Sequence, residues 1–411
     1  MGIIADSIPA LIAHSINNRR NHINRVLFDT ICTRNVVVCG GNDIVQDRRG
    51  REVLTLSGEF KINTCVQAIQ NALYYQKSAV LFIDQDYYPN IDTSVFYSQY
   101  QNNVCVMGED YTYEPLSTLD FNTSEDDIVQ FFDRVLNYYY KGNNSSGYED
   151  SISICKMIIN ILASIGSEYI TIDNMDSIAN DLFENSEITF KNIIEAQAPF
   201  SSKWNDFITF EWENAKSRFN SFWHSFMNGL GKYKCSEQKG TKSLYGILYN
   251  QNSSNVCVFP LRNSDGLLKT IILSEIEMIY GRIPIFDFID YHVALPTNRD
   301  YSFLQSIRPC IIGNSLYKLG IERLPFQNPT LVCLGVNAQD AEDILNTMVS
   351  TGHWIRENIG YGFRPRHLHV GFAGAEIKPI TSSDLSFSNI REGSAFRIDA
   401  RGYTYISNLF V

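Results

Sequence analysis

The side chains between Ser57 and Thr64 are of the types that bind a nucleotide phosphate, but their spacing departs from the usual phosphate loop. In that loop the last glycine lets the backbone curl, a lysine neutralises phosphate charge, and a Ser/Thr hydroxyl reaches magnesium. If Thr64 takes the final position, Asn63 stands in the lysine position, Ile62 in the preceding glycine position, and Ser57 in the first glycine position. Lys61 lies two residues too early. The stretch keeps the outline of a phosphate site and lacks most of its chemistry.

Two aspartates, Asp84 and Asp290, each follow an apolar run that predicts a strand. Ligands of open α/β sheets gather at such strand ends. In ATPases a strand-end aspartate holds the magnesium shell, and a neighbouring residue orients the attacking water. Tyr291 and His292 follow Asp290. The tyrosine cannot act as a base near neutral pH because its reference pKa is ~10, whereas His292 could act with suitable geometry. The alternative is that Asp290 only caps the turn after its strand.

A second group of candidate residues lies in the segment RPRHLHVGF, which contains Arg364, Arg366, His367 and His369. On a strand, His367 and His369 share one face, and a histidine pair could bind a metal or act as an acid/base couple. Because no third ligand has a recognisable spacing, we predict a surface or edge-strand pair and no metal site. Five further charged residues near the C-terminus are interpreted as solvated ion pairs that contribute under ~1 kcal/mol each. These are Asp384, Glu392, Arg397, Asp399 and Arg401.

The stretch from Arg51 to Pro89 supplies the elements that would position Ser57–Thr64. Its pattern predicts a short strand at 53–56, a turn at Ser57-Gly58, a helix from Thr64 to Tyr75, and an apolar strand from Ala79 to Ile83. A continuous apolar run is typical of a strand buried on both faces of a parallel sheet. This order is the outline of a βαβ unit in which helix N-terminal amides face an anion. Ser57 as a catalytic nucleophile is weakly supported, because no Gly-x-Ser-x-Gly context surrounds it.

Apolar strands and helices alternate in the rest of the α/β part. The predicted strands are Val36–Cys39, Val104–Met107, Val256–Phe259, Ile283–Ile289, Pro309–Gly313, Thr330–Leu334, His367–Phe372, Ala395–Ile398 and Tyr403–Ile406. Helices are predicted at Ile3–Arg34, Gly266–Ile279 and Gln339–Val349. Alternation of this kind favours a mostly parallel sheet with helices on both faces.

The pattern becomes entirely helical between about residues 123 and 232. Ser124 followed by Glu125, Asp126 and Asp127 is typical of a capped helix start. Aromatic residues crowd its last segment, from Ser202 to Leu230, and are interpreted as core. We therefore predict an all-α inserted domain at 123–232 between two parts of the α/β domain, at 1–122 and 233–411.

Composition excludes several classes of protein. The chain has 411 residues, 44% hydrophobic and 19% charged, so it can bury a large core. Its net charge of −11 argues against a nucleic-acid-coating protein, although a local basic patch stays open. Nine scattered cysteines without a Cys-x-x-Cys pair predict free thiols in a reducing cytoplasm. No apolar run approaches the ~20 residues needed to span a bilayer, and the N-terminus is interpreted as a helix rather than a signal peptide.

The order of segments resembles the TraG/TraD-type coupling ATPases of conjugation and type IV secretion. LSGEFKINTCVQAIQNALYYQKSAVLFIDQD looks like their phosphate loop, helix and second strand, and IPIFDFIDYHVALP like their magnesium strand. IRPCIIGNSLYKLG resembles their sensor strand, with Asn314 where the family has glutamine. ENAKSRFNSFWHSFMNGL, NPTLVCLGVNAQDAEDILNTMVST and IKPITSSDLSFSNIREGSAFRIDARGYTYI look like later segments in the same order. The resemblance implies a RecA-like (P-loop NTPase-like) domain interrupted by an all-α domain.

The resemblance also implies ATP and Mg²⁺ as ligands, but the departures fall where that chemistry sits. Asn63 replaces the loop lysine, Ile62 the glycine and Tyr291 the glutamate, and the family's N-terminal membrane helices are absent. The implied protein is a degenerate member, a non-hydrolysing binding or regulatory subunit whose partners are other proteins of the apparatus. Self-association and DNA binding stay open, with the acidic charge against DNA. The vestigial nucleotide-site candidates are Ser57, Gly58, Lys61, Asn63, Thr64, Asp84 and Asn314, with Asp290 as the doubtful catalytic residue.

Two alternatives stay open. One is an active NTPase or DNA translocase with a rearranged loop, in which Lys61 reaches the phosphates. The other is a structural or interaction protein that works through the aromatic-rich helical insert.

Overall fold

The computed structural model describes residues 35–75, 77–85, 96–97, 103–117, 123–142, 145–184, 212–235, 240–249, 256–262, 264–280, 286–296, 302–305, 307–315, 330–345, 380–399 and 402–406. The chain divides into two compact units. The first contains residues 1–99, 287–293 and 304–411, and the second contains residues 100–286 and 294–303. The predicted helix at 3–34, residues 185–211 of the predicted helical insert, and the segment with His367 and His369 lie outside the described residues.

The strands are β1 Val36–Cys39, β2 Ile44–Gln46, β3 Glu52–Leu54, β4 Ser78–Asp84, β5 Val104–Val106, β6 Thr112–Tyr113, β7 Thr241–Lys242, β8 Val256–Leu261, β9 Phe286–Tyr291, β10 Arg308–Gly313, β11 Thr330–Cys333, β12 Ala395–Asp399 and β13 Gly402–Ile406. The α-helices are α1 Leu56–Tyr74, α2 Glu125–Tyr139, α3 Ser146–Ile165, α4 Ile172–Glu184, α5 Trp212–Gly231, α6 Leu244–Leu248, α7 Gly266–Ile279 and α8 Ala338–Asp343. Single 3₁₀ turns lie at Ser167–Tyr169 and Ser302–Gln305.

The first unit contains a mostly parallel sheet, as the alternation of elements predicts. Its strands follow in the order β13-β12-β11-β1-β10-β9-β4. β1 lies inside the sheet and pairs in parallel with β10 on one side and β11 on the other, while β12 and β13 close one edge in antiparallel pairing. All four residues of β1 are buried, because both faces of an inner parallel strand are covered. The apolar runs therefore predict these strands well.

The stretch before α1 differs from its prediction. α1 begins at Leu56, where Thr55 is the N-cap and its hydroxyl accepts the N–H of Gly58. Ser57 and Gly58 are thus helical, and the predicted turn there and the predicted helix start at Thr64 are wrong. The predicted strand at 53–56 ends at Leu54 and pairs with β2 in a separate two-stranded antiparallel ribbon. A Thr N-cap satisfies amides that would otherwise lack partners, so it starts the helix eight residues before the point predicted from hydrophobic spacing.

In the second unit, the described residues between Glu125 and Gly231 form helices and no strand. Ser124 and Asp127 form a reciprocal capping box at the start of α2, as the sequence predicts. Phe132, Trp223 and Phe226 pack together in the helical core, so these three aromatic residues are core residues. The unit also includes β5 and β8, which pair in parallel. The boundaries 123–232 for the inserted domain stay a prediction.

Candidate functional site

The chain leaves the sheet of the first unit through two glycines that directly follow β1. Gly40 and Gly41 have φ values of +83° and +67°, a region that favours glycine. The Gly41 amide donates to the carbonyl of Gly335 at 2.7 Å. A Cβ on Gly40 would lie only 2.0 Å from that same carbonyl oxygen. The two glycines therefore allow the chain to turn sharply after β1. This turn brings Asp43 next to the first turns of α1.

Lys61 on α1 and Asp43 form a fully buried ion pair. The Lys61 Nζ lies 2.7 Å from Asp43 Oδ1, and the two side chains are 0% and 1% exposed. The ammonium group also donates to the carbonyl of Gly41 at 3.2 Å and to the side-chain oxygen of Asn314, which directly follows β10. Each contact takes up a proton of the ammonium group, which has three to donate. Lys61 is therefore bound on several sides by protein oxygen atoms.

His292 contacts the other oxygen of the same carboxylate, with Nε2 3.1 Å from Asp43 Oδ2. Its φ of +63° is unusual for a residue other than glycine, and its amide donates to the carbonyl of Ile312 at 2.9 Å. Burial lowers the pKa of His292 to about 4, although the Asp43 contact opposes this shift. At neutral pH the imidazole is therefore uncharged.

Asp43 carries the negative charge of this cluster. Burial acts to raise its pKa, but the hydrogen bond from His292 and the charge of Lys61 outweigh burial and lower that pKa to about 2. Burial lowers the pKa of Lys61, while the Asp43 carboxylate opposes that shift. With Lys61 protonated, Asp43 ionised and His292 neutral, the cluster has no net charge.

The N-terminus of α1 is also occupied by protein oxygen atoms. The Leu56 amide donates to Oε1 of Glu392 at 3.2 Å, and the Gly58 amide donates to the Thr55 hydroxyl at 3.1 Å. The Glu59 amide donates to the Thr55 carbonyl at 2.9 Å. Helix N-termini attract anions because their first amides lack helical partners and the dipole is positive there. Here a side-chain carboxylate, that of Glu392, takes that position.

The structure brings only some of the predicted phosphate-site residues together. Ser57 is buried beside Gly41, and Gly58 lies against the carbonyl of Asp43. Thr64 is buried, and its hydroxyl donates to the Phe60 carbonyl of its own helix at 2.8 Å. Asn63 is exposed on α1. The predicted loop residues therefore form turns of a helix, and among them Lys61 alone joins the Asp43 cluster.

The strand-end aspartates are both buried. Asp84 ends β4, and Asp290 lies one residue before the end of β9. Asp290 Oδ1 accepts the amide of Val293 at 3.0 Å. This contact fits the alternative in which Asp290 caps the turn after its strand. Tyr291 is fully buried, with its ring 4.7 Å from that of Phe96. Within the described residues, no group of three or more His, Cys, Asp or Glu side chains could hold a metal ion.

The arrangement does not fit a magnesium–nucleotide complex held in the usual way. The ammonium group of Lys61 is already neutralised, the first amide of α1 already has a carboxylate partner, and Thr64 donates within its helix. Sequence reasoning missed the central residue, Asp43. The signal was present in the Gly40-Gly41-Asn42-Asp43 turn after an apolar strand, but nothing local indicated that this turn faces Lys61.

No helix in the described part of the chain has the length and apolarity to cross a bilayer. No protein-family model matches the chain, and no curated protein matches it. Several solved structures match, and three of them are described here. The unbound monoclinic form of the bacterial conjugative coupling protein TrwBdeltaN70 has a TM-score of 0.50 and 12% identity, over 92% of this chain and 85% of that one.

The trigonal form of the same coupling protein, in complex with sulphate, has a TM-score of 0.48 and 12% identity over 92% and 86% of the two chains. VirB4 of Thermoanaerobacter pseudethanolicus has a TM-score of 0.48 and 9% identity over 92% of each chain. At such low identity the first match shows the fold alone. The chain has a coupling-protein-like, RecA-like α/β fold with a mostly parallel sheet, which confirms the resemblance at the level of the fold.

Proposed function

We propose that the chain is a non-hydrolysing relative of the conjugative coupling ATPases and acts as a binding or regulatory subunit in conjugation or type IV secretion. The fold shared with a conjugative coupling protein supports the setting. The side chains at the site support the absence of hydrolysis. Its partners are then other proteins of such an apparatus, in the cytoplasm.

The observation that carries this proposal is the buried Lys61–Asp43 pair. A lysine that binds phosphate must present its ammonium group to the ligand, and the positive charge is what the phosphate needs. Lys61 instead contacts Asp43 at 2.7 Å with 0% of its side chain exposed. Freeing it would leave the Asp43 carboxylate buried beside a neutral histidine, which is costly for a charge in the protein interior.

The end of β9 supports the same proposal. The position of the family's glutamate is held by Tyr291, which is buried against Phe96 and cannot serve as a base near neutral pH. Asp290 accepts an amide of its own turn. His292, the other candidate base, contacts Asp43 with Nε2. Each group that could orient water thus has a partner in the protein.

The two alternatives receive less support. An active NTPase requires Lys61 to leave Asp43 before it can reach a phosphate. An interaction protein that uses the aromatic residues of the helical insert requires those residues at the surface, but Phe132, Trp223 and Phe226 are buried. The insert could still bind a partner through its polar face.

The direct test measures phosphate release and thermal stability of the full chain with ATP or GTP and Mg²⁺. We expect neither the wild type nor Asp290→Ala to release phosphate. We also expect no thermal shift when nucleotide and Mg²⁺ are added. A ligand at 100 times its dissociation constant would add ~2.7 kcal/mol to the free energy of unfolding, which a thermal-shift assay detects. Lys156→Ala, at an exposed position on α3, is the surface control for Asp290→Ala.

Steady hydrolysis that disappears on Asp290→Ala, with Lys156→Ala unaffected, would overturn the proposal in favour of an active NTPase. The setting is tested separately, by cross-linking in the native cell. We expect components of a conjugation or type IV secretion apparatus among the cross-linked proteins. Cross-links to unrelated proteins alone would contradict that assignment.

A further inference from the structure

Two cysteines of the second unit face each other across a pair of strands. Cys105 is the middle residue of β5, Cys257 is the second residue of β8, and the two are partners in the parallel pairing of these strands. Both side chains are buried, and the two thiols form a hydrogen bond with each other. Helices α2 to α6 all lie between the two cysteines in sequence. A bond between the two sulfur atoms would therefore close a loop that contains these helices.

The spacing of the strands permits such a bond. Residues on neighbouring strands of a sheet lie about 4.7–4.9 Å apart, and cysteines joined by a disulfide have Cα atoms about 4.4–6.8 Å apart. Because the thiols of Cys105 and Cys257 already contact each other, rotation of the side chains with a small shift of the backbone brings the sulfur atoms to bonding distance. The pair can therefore be joined without a change of fold.

The strand β5 is the part of this arrangement that can open. It has three residues, and within the described residues it pairs with β8 alone. Local opening costs least where few hydrogen bonds and contacts must be broken, and a short strand at the edge of a sheet is such a place. Burial raises the pKa of the Cys257 thiol, and so does its hydrogen bond with Cys105. The closed pair is therefore inert, and reaction requires the open strand.

We propose that Cys105 and Cys257 are a redox switch in which hydrogen peroxide oxidises the pair to a disulfide when β5 opens. The Cys105 thiolate attacks one oxygen of H₂O₂ and breaks the O–O bond, which gives a sulfenic acid, and the leaving hydroxide takes up the thiol proton to form water. The Cys257 sulfur then attacks the Cys105 sulfur, and its proton leaves with the oxygen as a second water. Two electrons and two protons pass from the thiols to the peroxide. Two thiols of a reductant reverse the reaction by exchange.

The disulfide acts on the helices of the second unit. It holds β5 against β8 and joins the two ends of the segment that contains α2 to α6. A cross-link that closes a long loop stabilises a protein mainly by restricting the unfolded chain. Oxidation should therefore raise the stability of this segment and prevent the opening of β5. The Asp43 cluster belongs to the first unit and takes no part in the switch.

The first unit contains a matched pair that should stay reduced. Cys39 on β1 and Cys333 on β11 are also partners in a parallel pairing, are also buried, and also form a hydrogen bond between their thiols. Both strands lie inside their sheet, because β1 also pairs with β10 and β11 also pairs with β12. Opening of either strand must break the pairing on two sides. Register and burial are the same in the two cysteine pairs, so they differ in the edge position of β5.

The test treats the folded full chain with hydrogen peroxide, alkylates the remaining thiols after denaturation, and identifies the joined cysteines by peptide mapping. We expect the Cys105–Cys257 disulfide to form at least about tenfold faster than a Cys39–Cys333 disulfide, because an edge strand opens at lower cost than inner strands. In Cys257→Ala a sulfenic acid should accumulate at Cys105 and react with dimedone. Cys155→Ala, which removes a buried cysteine of α3, is the control and should oxidise like the wild type.

Thermal unfolding provides a second measurement. The midpoint of the oxidised wild type should lie above that of the reduced chain and return after treatment with a thiol reductant, whereas peroxide should not raise it in Cys257→Ala. The proposal is overturned if Cys105 and Cys257 stay reduced, or if they are oxidised no faster than Cys39 and Cys333. It is also overturned if the disulfide forms and the midpoint does not rise. The wild-type comparison of the two pairs decides the first point even if Cys257→Ala folds poorly.

Discussion

The ammonium nitrogen of Lys61 lies 2.7 Å from Oδ1 of Asp43, and neither side chain is more than 1% exposed. Asp43 follows the inner strand β1, Lys61 lies on α1, and the ribbon formed by β2 and β3 separates them in sequence. The ion pair therefore fixes α1 against the exit of β1. A buried pair of this kind is costly to break, because removal of one partner leaves the other charge without compensation.

Removal of one partner should destabilise the first unit. We expect Lys61→Met or Asp43→Asn to lower the free energy of unfolding by about 3–5 kcal/mol each, because each leaves one buried charge unpaired. The double variant should cost less than the sum of the two single variants, since it removes both charges. Calorimetry measures the loss of stability as the shift of one unfolding transition, namely the transition that moves in both single variants.

The exposed Lys156→Met variant should change stability by less than about 0.5 kcal/mol and serves as the control. If each single variant costs under about 1 kcal/mol, the pair does not hold α1 in place. The proposal that the Asp43 pair keeps Lys61 from binding a phosphate would then be wrong.

His292 should make the stability depend on pH. Its pKa falls from 6.5 to about 4 on folding because burial disfavours the charged imidazole. The unfolded chain thus binds more protons between these values. The stability that depends on neutral His292 is fully present above pH ~6.5. It is lost as the pH falls towards 4, by about 3 kcal/mol in all. Unfolding measured at pH 7 and pH 4.5 should show this loss.

The variant His292→Asn is the suitable comparison, because asparagine tolerates the positive φ at this position and keeps a donor for Asp43. The variant should lose less stability than the wild type over the same pH interval. Asp43 itself, whose pKa is lowered to about 2, contributes stability that is lost only at lower pH. An equal loss in wild type and variant would mean that His292 is accessible to protons in the folded state.

Most of the sheet could be predicted from the sequence because its strands are continuous apolar runs. Val36–Cys39 matches the structure at both ends, and the helix Gly266–Ile279 does so too. A buried strand or helix contains its own signal in consecutive side chains. The capping box at Ser124 is likewise local. These features depend on neighbours in sequence, and sequence reasoning recovers them.

The candidate site could not be predicted in the same way, because it depends on contacts between distant segments. Asp43 and Lys61 meet only because a ribbon of eleven residues, 44–54, turns back between them. The motif template placed Ser57–Thr64 in a loop, whereas the Thr55 cap begins the helix earlier. Thr55 could have been read as a cap, since threonine is a favoured N-cap residue. The pairing of His292 with Asp43 has no sequence signal.

Another buried acid, Glu275 on α7, should impose the opposite pH dependence on the second unit. Its oxygens accept the Tyr113 hydroxyl at 2.6 Å and the Leu244 amide at 2.8 Å. Burial raises the pKa of Glu275 to about 8, against the opposing effect of these hydrogen bonds. Folding therefore favours the protonated form. The stability that depends on protonated Glu275 is fully present below pH ~4.5 and is lost as the pH rises through 8.

Glu275→Gln keeps an acceptor for Leu244 and removes the titration. We expect this variant to be more stable than the wild type at pH 9, and the difference to shrink or reverse at pH 5. Chemical unfolding at the two pH values, followed by far-UV circular dichroism, measures the difference. A difference that does not vary with pH would contradict a protonated Glu275 in the folded protein.

Two helical glycines provide a matched pair of substitutions. Gly→Ala in a helix usually stabilises by up to about 1 kcal/mol, because alanine loses less backbone entropy on folding. Gly229 on α5 should follow this rule, since the nearest atom to an added Cβ is 4.0 Å away, on Leu268. At Gly58 on α1 an added Cβ would lie 2.5 Å from the carbonyl oxygen of Asp43.

Gly58→Ala should therefore destabilise the protein by about 1–3 kcal/mol, the usual cost of overpacking, while Gly229→Ala stabilises it. The clash falls on the backbone that also carries the Asp43 carboxylate, so the substitution should push Asp43 away from Lys61. Thermal unfolding of both variants gives the sign of each effect. If Gly58→Ala were as stable as Gly229→Ala, the chain at Asp43 would not lie tightly against α1. Lys61 would then have room to turn towards a ligand, which is what an active nucleotide site would need.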